Sequence, residues 1–159
     1  MKTRNVALIA FVLIIMGTFL SACGPSAEAV YAEKITAPVN NFTAKYTEFS
    51  NVFSSGKIDD PAWQTQTNKV IDELDKAAAD LGAVSQAEVP ETFKTLDGYL
   101  KEIASETPVM TNAIRDAFKE YNAGNGDAAI TKLNEASASA EKISAAADKM
   151  NAEADKLSK

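Results

Sequence analysis

The chain has 159 residues, 46% of them hydrophobic and 24% charged, with a formal net charge of −6. That length supports one globular domain rather than two. There is no His and only one Cys, which excludes histidine acid–base chemistry, Cys/His metal centres and disulfide frameworks. An acidic chain with no basic run beyond its first four residues is not expected to bind nucleic acid.

The N-terminus opens with Lys2 and Arg4, continues through an apolar run from Val6 to Met16, and leaves it through Gly17-Thr18-Phe19-Leu20-Ser21-Ala22-Cys23. A basic start, a short apolar stretch and a small-residue exit make a secretory signal, and the run is short for a spanning helix. Leu20-Ser21-Ala22-Cys23 resembles the lipobox of bacterial lipoproteins. The resemblance implies that the Cys23 thiol is acylated and that residues 1–22 are then removed. Residues 1–22 hold two basic side chains and no acidic one, so the remaining chain carries −8. Anionic headgroups repel such a surface, so acyl chains on Cys23 must provide the membrane attachment. Gly24 after the cysteine is compatible with either the cell membrane or an outer membrane, with the domain on the extracytoplasmic side.

After a tether over residues 23–29, apolar residues fall at helical spacing through a domain spanning 30–158. The first helix carries Tyr31, Ile35, Val39, Phe42, Tyr46, Phe49 and Phe53 and stops at Ser54-Ser55-Gly56. Asp60 is the expected N-cap of the second, with Pro61 at its first position. That helix runs through Trp63, Thr67, Val70, Leu74, Ala77 and Leu81 and is expected to end at Gly82. The third begins at Pro90 and shows Phe93, Leu96, Leu100, Ile103, Thr107, Met110, Ile114, Phe118 and Tyr121. Gly124-Asn125-Gly126 breaks it, and Asp127 is the expected cap of a fourth, Ala-rich helix. Its apolar positions are Ile130, Leu133, Ala136, Ala140, Ile143, Ala147, Met150, Ala154 and Leu157. No segment alternates with a period of two. The expected fold is all-α, an antiparallel up-down-up-down four-helix bundle behind the lipoprotein signal peptide.

Two places invite function. Pro38 and Pro108 interrupt the first and third helices, each removing an N–H from the carbonyl four residues back, and kinks rather than breaks are expected. Two bends facing small residues make a candidate intrabundle pocket, with Tyr46 and Thr107 as lining residues. Close packing of bent helices is the alternative reading. At the end away from Cys23, Ile58 and Trp63 are candidate partner contacts, or else they close the bundle end. Asp59, Asp60, Asn125 and Asp127 gather oxygen ligands there, but match no EF-hand spacing, and two are already spent as caps. No metal and no cofactor is expected.

Ser and Thr have no histidine to activate them, no G-x-S-x-G occurs, and two S-x-x-K matches lack their companion motifs. Arg115, the sole arginine after residue 22, reads as a solvated side chain, and no carboxylate pair across a cleft is legible. The chain as a whole is similar to small helical bacterial lipoproteins of uncharacterised function. Its carriers are Leu20–Cys23, Val89-Pro90-Glu91-x-Phe93 opening a long helix, and Gly126-Asp127 before an Ala-rich last helix. The resemblance implies fold and envelope location, and transfers no catalytic residue. The expected role is a lipid-anchored, non-catalytic domain that binds an envelope protein or component. A small-ligand binder and a structural spacer are the alternatives.

Overall fold

The structure, a computed structural model, describes residues 26–84 and 88–157. The predicted signal peptide, the lipobox Leu20-Ser21-Ala22 and Cys23 lie outside the described residues. Within them the chain is all-helical: α1 (Ala27–Ser55), α2 (Pro61–Val84), a 3-10 turn over Glu91–Phe93, α3 (Lys94–Asn122) and α4 (Gly126–Leu157). No strand occurs among the described residues.

Local chemistry explains most boundaries. Ser26 sits in extended backbone and its hydroxyl accepts the Ala29 amide at 3.2 Å, so α1 starts at Ala27, inside the segment assigned to the tether. The Asp60 carboxylate accepts the Ala62 amide at 2.8 Å, with Pro61 as the first residue of α2, as expected. Gly124, at φ +82°, closes α3. Its amide bonds to the Tyr121 carbonyl and that of Asn125 to the Glu120 carbonyl, both at 2.9 Å. This is a Schellman closure, and glycine is there because the left-handed conformation strains other residues.

Three expectations are corrected. Gly82 does not end α2, which continues to Val84. A Cβ at Gly82 would stand in ordinary van der Waals contact, 3.4 Å, with that of Ala104 on α3. Asp127 is not the cap of α4, because the helix begins at Gly126 and the Asn125 carbonyl takes the Ala129 amide at 3.0 Å. Asp127 lies in the first turn, where its charge favours the helix dipole. Ile130 is not a core residue; it is 59% exposed, and Ala129 is buried in its stead.

The core is one apolar cluster. α1 contributes Tyr31, Ile35, Val39, Phe42, Tyr46 and Phe49, α2 Ile71, Leu74 and Leu81, α3 Leu96, Leu100, Ile103, Met110 and Ile114, and α4 Ile143 and Met150. Helices adjacent in the chain pack together, most closely α3 with α4, whose buried positions are mainly alanines. Small side chains let two helix axes approach, which accounts for that closeness. Contacts advance along α2 as they retreat along α3: Gln64 meets Asn122, Asp72 meets Arg115, Asp75 meets Thr111. α1 and α3 each remain one helix across Pro38 and Pro108. No described helix is long and apolar enough to cross a membrane.

Candidate functional site

Two ends can be distinguished, the near end where α1 starts and the far end that holds the α1–α2 and α3–α4 turns. At the far end the ring of Trp63 lies between Phe53 and Phe118, with centroids 5.5 and 5.4 Å away. Phe49 stacks on Phe53 at 5.4 Å and Tyr46 meets Phe49 at 6.1 Å, continuing the aromatic row inward. The indole N–H donates to the Val52 carbonyl at 2.8 Å, and Trp63 is only 8% exposed. This corrects the expectation of an exposed aromatic anchor: Trp63 is a plug that closes the end. Gly56 belongs to the same construction, since a Cβ there would collide with the indole ring. Ile58 is half-buried against the core.

Gln64 seals the same end with polar bonds. Its amide nitrogen donates to the Ile58 carbonyl at 2.6 Å, and its amide pairs reciprocally with Asn122 at 2.9 and 3.2 Å. Sequence reasoning missed this pair, whose members stand 58 residues apart. Outside the seal, Tyr121 is 37% exposed and Ile130 59%, so these are the large apolar side chains the far end offers to solvent. Asp60 is committed to its cap and the Asn125 amide donates to Glu120 at 2.8 Å. No group of three or more Asp, Glu, His or Cys suited to a metal ion occurs among the described residues.

The pocket residues do not gather round a common opening. Pro108 is exposed on the outside of α3, and Pro38 is half-buried. Thr107 is fully buried and donates its hydroxyl to the Ile103 carbonyl at 2.7 Å. Tyr46 is packed between Phe42 and Phe49, and burial raises its pKa above the ordinary tyrosine value. The helical phase is the cause, because position 108 follows the buried 107 and turns outward. A depression of about 440 Å³ does lie one turn earlier, lined by Ala78, Ala79, Gly82, Ala104, Ser105 and Lys101. It is open to solvent and carries one charged group.

Arg115 is not merely solvated. Its guanidinium donates to Asp75 at 2.9 Å and Asp72 at 2.6 Å, clamping α3 to α2, while Asp75 also accepts the Thr111 hydroxyl at 2.6 Å. Burial opposes the charge of Arg115, but the hydrogen bonds of Asp75 and Asp72 more than offset it and raise its pKa. Lys45 joins α1 to α2 through Glu73, and Lys142 joins α4 to Glu106 of α3 at 2.9 Å. These carboxylates hold helices together.

At the near end a charged residue is buried outright. Asp97 is 3% exposed and accepts the Tyr31 hydroxyl at 2.8 Å, with Lys101 also at 2.8 Å. Phe93 lies against the Tyr31 ring at 5.2 Å. Burial, and then the bond to Asp97, push the Tyr31 pKa well above its ordinary value. Comparison with protein families, with curated proteins and with solved structures finds nothing that matches this chain.

Proposed function

We propose that this chain is a lipid-anchored, non-catalytic protein of the bacterial cell envelope whose domain binds an envelope protein or component. The observation that carries the reading is Leu20-Ser21-Ala22-Cys23 standing directly after a short apolar run. The Ser26 cap supports it, because the folded domain starts where a tether from Cys23 would deliver it. The helices form an antiparallel up-down-up-down bundle in this reading, supported by the counter-running contacts of α2 and α3. Anchoring comes from acyl chains on Cys23, with the domain on the extracytoplasmic side of the cell membrane or outer membrane.

The partner-facing surface in this reading is the far end, with Tyr121 and Ile130 in the place first assigned to Trp63. Intact mass and membrane partition of the wild type beside Cys23→Ala test the anchor. Loss of residues 1–22 with added acyl mass in the wild type alone supports it, whereas an unmodified full-length wild type overturns it. Crosslinking in membranes tests the surface. Tyr121→Ser with Ile130→Ser should abolish any adduct the wild type forms, and an unchanged adduct refutes this surface.

A further inference from the structure

We draw no further inference here: the strongest candidate, the open depression between α2 and α3 lined by Ala78, Ala79, Gly82, Ala104, Ser105 and Lys101, is a stripe of small residues whose one cation is already paired with Asp97, and nothing in the structure shows what covers it.

Discussion

The far and near ends of the domain are closed by different physics. The far end is an aromatic row, Phe49, Phe53, Trp63 and Phe118, with the indole bonded to the Val52 carbonyl and the neutral Gln64–Asn122 amide pair beside it. The near end is a buried carboxylate, Asp97, held between a phenol and an ammonium. Aromatic burial is nondirectional and insensitive to pH, whereas a buried ionised group is only as good as its partners. The contrast teaches that the near end depends on two specific partners of one side chain, whereas the far end spreads its closure over several rings.

The comparison is most directly broken at the plug. Trp63→Ala removes the ring that joins α1, α2 and α3, and should cost about 3–5 kcal/mol in urea unfolding. Gly56→Ala, which forces a methyl into the indole, should show a loss of the same sign in the same measurement. A loss for Trp63→Ala below about 1 kcal/mol, the ordinary effect of a surface change, would show that the far end is not closed by this residue.

The near end comes next. Asp97→Ala leaves the Tyr31 hydroxyl buried without its acceptor and should cost about 2–3 kcal/mol. The same pair predicts an alkaline dependence. Because the folded pKa of Tyr31 lies above the unfolded value, its contribution is complete below about pH 10 and is lost as pH rises further. Tyr31→Phe should flatten that alkaline decline in a pH series of urea midpoints. An identical decline in both proteins would remove Tyr31 as its source.

Smaller effects sharpen the picture between the ends. Arg115→Ala should cost roughly 1 kcal/mol, since the guanidinium is about one-third exposed and its Asp72 partner mostly so. Arg115→Lys should recover only part of that loss, because an ammonium cannot fork to two carboxylates. Thr67 is fully buried and its hydroxyl has no hydrogen-bond partner. Thr67→Val should therefore raise stability by about 1 kcal/mol, and a fall in the melting temperature would contradict that account.

Much of the architecture was legible because helical periodicity and turn chemistry are local. Tyr31 to Phe49 could be placed on one face from spacing alone, and Asp60-Pro61 and Gly124 announced their turns. What was not legible depended on residues far apart in sequence. Trp63 looked equally like a plug or an anchor until Phe118 and the Val52 carbonyl closed on it. Asp97 occupies a core phase beside Leu96 and Leu100, yet a charge there signals solvent unless Tyr31 is known to meet it. Ile130 failed for a related reason. On an Ala-rich helix the facing partner picks the stripe, and the buried one runs through Ala129, Ala136, Ile143 and Met150 at seven-residue steps, which leaves Ile130 one residue off it.

The order in which the helices pack has a consequence for how the chain reaches its fold. α1 packs on α2, α2 on α3 and α3 on α4, so every helix after the first finds a packing neighbour in the one before it. A chain emerging from N- to C-terminus can dock every new helix on arrival, with little waiting time for exposed apolar surface. Phe118 and Asp97 of α3 then close over Trp63 and Tyr31, so the third helix is the one whose arrival locks both ends.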